Sequence, residues 1–200
     1  LKIPILNFDP FHRYKGTGPK FDCKKGYLVV MQHPVTTEYN EAFSQANKTI
    51  EAVKKIDLPV FWFWPNVDAG SDATSKALRI FREFNKNAKF HFFKNLLPKD
   101  FLLLVQNSSC LVGNSSVGIR ECSFLGIPVV NIGSRQNGRE RAENVIDVSH
   151  DSNSIFNAIK QQIKHGKYKK SYLYGDGKAG EIMADLISKI DYKVDNKKSI

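Results

Sequence analysis

Short apolar runs alternate with amphipathic segments along most of this 200-residue chain. Six runs are rich in β-branched and aromatic residues, a composition typical of buried parallel strands, and they cover residues 27–32, 60–64, 90–93, 110–112, 128–132 and 145–148. The segments between them carry apolar residues at the three- and four-residue spacing of a helix. This alternation predicts an α/β fold of the Rossmann-like type, a parallel sheet with helices on both faces.

The helical segments have recognisable starts and inner faces. Four polar residues are predicted to cap the first two helices: Thr36, Thr37, Ser71 and Asp72. Phe43 is expected on the inner face of the first helix, and Phe84 on that of the second. Further helices are predicted over residues 99–107, 116–125, 152–164 and 179–190.

The ends of the chain differ from its middle. Residues 1–26 are rich in Pro, Gly and Lys and show no sustained period, so they are predicted to be a connecting segment. Residues 27–190 form the predicted domain, and residues 191–200 a basic C-terminal tail. Because the chain starts at Leu1 without a Met, we interpret it as a piece of a longer protein.

Composition excludes several protein classes. Hydrophobic residues make up 42% of the chain and charged residues 25%, which excludes disorder, collagen-like sequence and a coiled coil. No apolar run approaches the roughly 20 residues of a membrane span, so no membrane association is expected. The cysteines Cys23, Cys110 and Cys122 form no C-x-x-C pair, and the five His lack metal-ligand spacing. These features predict a reduced, cytoplasmic protein without a metal or cofactor.

The formal charge of +10 raises the possibility of a nucleic-acid partner. However, the lysines lie at both ends of the chain and on helix faces with acidic residues between them, and no nucleic-acid-binding motif accompanies them. A solvated basic surface is therefore favoured over a nucleic-acid site. Such a surface also suits a small anionic substrate.

Polar residues follow the predicted strands at their carboxyl ends, where open parallel sheets bind ligands. His33 follows the first strand, Asn66 and Asp68 the second, and Lys94 the third. Each of these alone is more often a cap or turn residue than a ligand contact. Their predicted convergence on one edge of the sheet makes that edge the candidate site.

The sharpest local feature is the turn Gly113-Asn114-Ser115-Ser116, between the fourth strand and the next helix. Small residues at a helix start can cradle phosphate, although Ser115 could serve only as an N-cap. The chain contains neither a P-loop nor a G-x-G-x-x-G motif.

Three charged residues downstream of this turn add candidate contacts. Glu121 could accept both ribose hydroxyls or simply be a solvated helix residue. Arg135 and Arg139 could bind phosphate oxygens or form surface ion pairs with Glu140 or Glu143.

Together these motifs resemble the C-terminal half of a UDP-N-acetylglucosamine 2-epimerase of the hydrolysing type. The matching segments, in order, are QHPVTT (32–37), PNVDAGS (65–71), GNSS (113–116), RE (120–121), GIPVVNIG (126–133), RQNGRE (135–140) and YGDG (174–177). The NSS and RQNGRE forms are closer to the hydrolysing branch, which includes the epimerase half of an animal bifunctional epimerase/kinase. The non-hydrolysing branch usually has DSGG and RPE.

The resemblance implies one half of a GT-B-like enzyme, with two Rossmann-like domains and a cleft between them. In that family UDP is eliminated as a proton leaves C2, giving a 2-acetamidoglucal, and water then adds to yield N-acetylmannosamine and UDP. The reaction serves sialic-acid-type sugar biosynthesis. The implied partners are a UDP-sugar, the N-terminal domain of the same protein and further copies of the chain. Without that N-terminal domain the chain is expected to be inactive.

The resemblance also implies roles for individual residues. His33 would lie near the diphosphate–sugar junction and be held toward its cationic form by the phosphates. The other implied contacts are Asn66 beside the nucleotide, the backbone of Leu96 on the base, Ser115 and Ser116 on the phosphates, Glu121 on the ribose, and Arg135 and Arg139 around the anionic pocket.

Other functions stay open at this point. The chain could be half of a GT-B glycosyltransferase, or a non-enzymatic nucleotide sensor or nucleic-acid binder. Within the epimerase reading, the substrate could instead be UDP-N,N′-diacetylbacillosamine.

Overall fold

Six parallel strands form a single sheet at the centre of the computed structural model, which describes residues 6–190. The strands are β1 (Leu28–Met31), β2 (Val60–Phe63), β3 (Phe90–Phe93), β4 (Cys110–Gly113), β5 (Val129–Ile132) and β6 (Val145–Val148). Their order across the sheet is β3-β2-β1-β4-β5-β6. This is the Rossmann strand order, in which the direction of winding reverses between β1 and β4. The predicted α/β fold is confirmed.

Within the described residues, eight α-helices accompany the strands. They are α1 (Pro10–Tyr14), α2 (Ala42–Lys54), α3 (Ser71–Phe84), α4 (Pro98–Gln106), α5 (Ser116–Ile119), α6 (Glu121–Leu125), α7 (Ser152–His165) and α8 (Ala179–Lys189). Helices α2, α3 and α7 bury apolar side chains against one face of the sheet. Residues of α1, α4 and α6 pack against the opposite face.

Successive strand residues point to opposite faces of the sheet, and each face has its own core. Val30 and Trp62 belong to the α2/α3/α7 side, whereas Val29 and Phe61 belong to the α4/α6 side. Because both faces are covered, β1, β2 and β4 are continuous apolar runs rather than alternating ones.

Four local predictions are wrong in detail. Residues Thr36–Glu41 form a 3₁₀ helix ahead of α2, with no side-chain cap. Helix α3 begins at Ser71 behind Gly70, which adopts a left-handed conformation with φ 89°. Phe43 and Phe84 lie outside the core, the latter 80% exposed.

The predicted helix over residues 116–125 is two short helices, because the backbone kinks at Arg120 (φ −94°, ψ −71°) between α5 and α6.

The segment before β1 packs against the sheet. Asp9 caps α1 by accepting a hydrogen bond from the Phe11 N–H at 2.8 Å, and the Phe11 ring is buried in the α4/α6-side core. Thr17 forms an antiparallel bridge with Phe92 on the edge strand β3, with N–H to O distances of 2.9 and 2.8 Å. This connecting segment therefore covers the β3 edge of the sheet.

Within residues 6–190, no helix is long and apolar enough to cross a membrane. The predicted basic tail, residues 191–200, lies outside the described part of the chain.

Candidate functional site

Asn114 lies where the chain leaves β4, and its side chain and backbone connect three loops at the carboxyl end of the sheet. Its Oδ1 accepts a hydrogen bond from the His33 N–H at 2.8 Å, and its Nδ2 donates to the His33 carbonyl at 2.8 Å. Its backbone carbonyl accepts from Arg135 Nη1 at 3.2 Å and from Gln136 Nε2 at 2.7 Å. We call His33, Asn114, Arg135 and Gln136 the Asn114 network.

The network depends on the glycine that precedes Asn114. Gly113 has φ 134°, and a Cβ there would collide with the Met31 carbonyl oxygen. The same carbonyl accepts the Asn114 N–H at 3.0 Å. Because Asn114 is fully buried and bonded through its backbone and side chain, it is a structural residue of the turn.

His33 is 3% exposed and fixed in one orientation. Its Nδ1 accepts a hydrogen bond from the Asn66 N–H at 3.1 Å, so the neutral ring carries its proton on Nε2. Burial, together with the positive charge of Arg135, lowers the pKa of His33 to about 4, while Asp68 opposes the shift. His33 is therefore neutral in this structure near pH 7, and a cationic ring beside bound phosphates stays a prediction.

Arg135 is held at the same edge of the sheet. Besides its bond to Asn114, its Nη2 lies 4.0 Å from Asp68 Oδ2 in the loop after β2. Its side chain is 28% exposed, so part of the guanidinium is free to meet a solvent-borne anion. Gln136, 2% exposed, anchors the same loop beneath it.

A second set of contacts, missed by the sequence reasoning, joins the loops after β1 and β5. Glu38 accepts hydrogen bonds from the Ser134 hydroxyl and from Gln45 Nε2, and these bonds lower the pKa of Glu38. His150, after β6, lies near Glu38, and burial lowers the pKa of its ring. The only sequence signal was a single Glu in a polar loop, which gives no indication of a partner 96 residues away.

The two serines of the turn differ in accessibility. Ser115 is buried and serves as the N-cap of α5, where its Oγ accepts from the Val117 N–H at 3.4 Å. Ser116 is half-buried. Ser115 and Ser116 thus come directly after Asn114, the residue that bonds both His33 and Arg135.

Glu121 lies on α6 beside a cavity of about 320 Å³. Its Oε2 is buried without a hydrogen-bond partner among the described residues. Tyr174 and Gly175 line the same cavity, and the Tyr174 hydroxyl donates to the Glu140 carbonyl at 2.8 Å. A buried carboxylate oxygen without a hydrogen bond costs free energy of folding. A ligand hydroxyl that donates to this oxygen would remove that cost.

The loop between β3 and α4 carries Lys94, Asn95 and Leu96. Lys94 is exposed and Leu96 is buried. The Leu96 N–H is bonded to Asn95 Oδ1 at 2.9 Å, so the carbonyl of Leu96 is the backbone group it can offer a ligand.

The structure thus brings His33, Asn66, Asp68 and Arg135 together around Asn114. It does not bring Arg139 into this set, because its side chain is exposed on the loop after β5. Within residues 6–190, no three His, Cys, Asp or Glu side chains gather as a metal site. Besides the Asp68 carboxylate, which faces Arg135, the assembled groups include the His33 ring N–H and the Arg135 guanidinium, and these two donors suit a phosphorylated ligand.

Comparison with known proteins finds a family match over most of the chain. A family model described as UDP-N-acetylglucosamine 2-epimerase matches residues 11–188. A hydrolysing UDP-N,N′-diacetylbacillosamine 2-epimerase of Legionella pneumophila is 33% identical over 170 residues, covering 85% of this chain and 44% of the relative. The polysialic acid biosynthesis protein P7 of Escherichia coli is 33% identical over 137 residues, covering 68% and 34%. The chain spans less than half of either relative.

Solved structures show the same fold. A Neisseria meningitidis UDP-GlcNAc 2-epimerase bound to UDP-GlcNAc superposes with a TM-score of 0.65 at 16% identity, over 84% of this chain and 46% of that one. A Methanocaldococcus jannaschii enzyme in complex with UDP-GlcNAc and UDP gives 0.63 at 19% identity, over 82% and 45%. Both likenesses establish a GT-B-like half with a Rossmann-like fold.

Proposed function

Because this chain belongs to the UDP-N-acetylglucosamine 2-epimerase family, we propose that it binds the UDP moiety of a UDP-sugar at the carboxyl end of its sheet. The Asn114 network carries this proposal. It holds a neutral histidine, with its proton on Nε2, and a partly exposed guanidinium, and Ser115 and Ser116 follow Asn114 directly in the chain. Such donors stabilise the charge that develops on a departing diphosphate.

We assign roles to the remaining residues by their resemblance to the family. Ser115 and Ser116 bind the diphosphate, Arg135 and Arg139 neutralise its charge, and Asn66 borders the nucleotide. Glu121 accepts the ribose hydroxyls through its unpaired buried oxygen. Leu96 reads the base through its carbonyl.

The reaction we propose is hydrolysing 2-epimerisation of UDP-N-acetylglucosamine in the cytoplasm, as a step toward sialic-acid-type sugars. The C2 proton leaves and the C1–O bond to UDP breaks, giving a 2-acetamidoglucal and UDP. Water then adds across the double bond to give N-acetylmannosamine. His33 acts here as a hydrogen-bond donor to the leaving diphosphate.

A second substrate is supported by one comparison. The Legionella relative, 33% identical over 85% of this chain, acts by its name on UDP-N,N′-diacetylbacillosamine. Both sugars share the UDP moiety, so the same site would serve either one. Assays of the intact enzyme with each UDP-sugar and no acceptor distinguish them by the hexosamine released. Release of UDP together with the 2-epimerised sugar favours an epimerase over a glycosyltransferase.

The base that removes the C2 proton is proposed to lie in the other half of the enzyme. The carboxylates of Asp68, Glu121 and Glu140 border this site, but Asp68 faces Arg135 and Glu121 is assigned to the ribose. Glu140 is exposed and bound through its carbonyl to Tyr174. We therefore expect the 200-residue chain to bind UDP but to release no hexosamine from UDP-N-acetylglucosamine.

Titration calorimetry and a turnover assay on the purified chain test this assignment. Saturable binding of UDP, with no N-acetylmannosamine formed, supports it. Failure to bind UDP contradicts the site, whereas turnover that His33→Ala abolishes would place the base in this chain.

A further inference from the structure

The segment ahead of the sheet contacts the loop that is proposed to read the base. Tyr14, at the end of α1, accepts a hydrogen bond through its hydroxyl oxygen from the Leu97 N–H at 3.2 Å. The same hydroxyl donates to Asp100 Oδ2 at 2.6 Å in the first turn of α4. Its ring packs edge-on against Phe93, with 6.4 Å between ring centroids.

The Leu97 N–H and the Leu96 carbonyl belong to one peptide unit. A peptide unit is planar, and in its trans form the N–H and the C=O point in opposite directions. No described peptide bond of this chain is cis. The bond from Leu97 to Tyr14 therefore fixes the direction in which the Leu96 carbonyl points, away from Tyr14.

A single backbone carbonyl can distinguish uracil from cytosine at the N3 position of the base. Uracil has a hydrogen on N3 that a carbonyl can accept, whereas N3 of cytosine is itself an acceptor and would face the carbonyl without a proton. Because the Leu96 N–H is bonded to Asn95, the carbonyl is the group left to make this distinction.

The geometry points to Tyr14 as a positioning residue that sets base specificity, by aiming the Leu96 carbonyl at N3–H of a uracil. This inference rests on the proposed UDP site. Tyr14 touches no ligand; it acts through the Leu96–Leu97 peptide. Its own position is secured by Asp100, which is 6% exposed and also accepts from Arg13 Nη1 at 2.7 Å.

The test compares binding of UDP, CDP and pyrophosphate by the wild-type chain and by Tyr14→Phe, which keeps the ring and removes both hydrogen bonds of the hydroxyl. Tyr27→Phe is the matched control, because the Tyr27 hydroxyl also donates to α4, at the Leu104 carbonyl (2.6 Å), but away from the loop. We expect Tyr14→Phe to weaken the binding of UDP about fivefold to tenfold, the effect of losing one neutral hydrogen bond. The binding of CDP and of pyrophosphate should not change. Tyr27→Phe should keep the wild-type preference for UDP over CDP.

Retention of the full preference for UDP in Tyr14→Phe would overturn the inference, as would equal binding of UDP and CDP by the wild type. A wild type that binds neither UDP nor pyrophosphate would instead show that the proposed site is wrong. If Tyr14→Phe fails to fold, Asp100→Asn provides the second variant. It weakens the acceptor that orients the Tyr14 hydroxyl, and it should reduce the preference by a smaller factor.

Discussion

The side chain of Asn114 forms two hydrogen bonds with the backbone of His33. It accepts from the His33 N–H and donates to the His33 carbonyl, each at 2.8 Å. Asn114 follows β4 and His33 lies in the loop after β1, and these two strands pair in the middle of the sheet. Two hydrogen bonds therefore join the loops after β1 and β4, where the direction of winding reverses. They fix the backbone that carries the His33 ring.

Asn114→Leu should destabilise the protein more than any change of comparable size at the site. It leaves the buried N–H and carbonyl of His33 without partners, at roughly 1–3 kcal/mol each. We expect the free energy of unfolding in urea to fall by about 2–6 kcal/mol. Ser116→Ala is the control. It should change the free energy of unfolding by less than about 0.5 kcal/mol, while it weakens the binding of UDP. Equal stability of the two variants would contradict the structural role of Asn114.

Glu121→Gln should weaken binding of UDP without lowering stability. The carboxylate oxygen Oε2 is buried and unpaired, so a neutral amide removes a buried charge while losing the charge-assisted bond to a hydroxyl, about 1.5–3 kcal/mol. Calorimetry with UDP and 2′-deoxy-UDP checks the role. The wild type should prefer UDP, and the variant should lose most of that preference. A variant that discriminates as the wild type does would remove Glu121 from the ribose.

The histidine at the site should make the fold sensitive to acid. The pKa of His33 is lowered from 6.5 to about 4, so between these values the unfolded chain binds a proton that the native chain does not. Stability from this group is complete above pH 6.5 and is lost as the pH falls toward 4, by up to about 3 kcal/mol. Burial also lowers the pKa of His91 and His150, and their effect has the same sign.

Urea unfolding at pH 7 and pH 4 isolates the share of His33. His33→Gln should lose about 3 kcal/mol less than the wild type over this range, because the other two histidines remain. Identical losses would show that His33 is not neutral by burial. Nitrogen-15 spectra should show an unprotonated Nδ1 and a protonated Nε2, the pattern that the Asn66 N–H imposes.

The two arginines of the loop after β5 provide a matched pair. Arg135 is bonded to the Asn114 carbonyl and lies 4.0 Å from Asp68, whereas Arg139 is exposed. A preorganised guanidinium loses less side-chain entropy on binding phosphate. Arg135→Gln should therefore weaken the binding of UDP by more than tenfold, and Arg139→Gln should weaken it by less. Uridine binding should change with neither variant; the reverse ranking for UDP would contradict this account.

The sheet was predictable because buried parallel strands are continuous apolar runs. All six strands lie within or beside the predicted ranges, and Phe90–Phe93 and Val145–Val148 match them at both ends. The helices were predictable where an amphipathic face is long, as in α7. The kink at Arg120 was not, because no Pro stands between Ser116 and Leu125 to mark a break.

The site was predictable only as a set of loops. Parallel topology brings the carboxyl ends of β1, β2, β4 and β5 to one edge, so His33, Asn66 and Arg135 were expected as neighbours. Their pairing depends on strand register and on side-chain direction over gaps of 33 and 81 residues. For that reason the roles of Asn114, Glu38 and Tyr14 emerged only from the structure.

A crystal structure of the chain soaked with UDP tests the central claim most directly. We expect a diphosphate oxygen within about 3.5 Å of the Ser115 or Ser116 hydroxyl, the ribose hydroxyls on Glu121, and His33 Nε2 directed at the outer phosphate. A diphosphate bound away from this turn, for example in the cavity lined by Phe8, Phe21 and Tyr27, would contradict the proposed site.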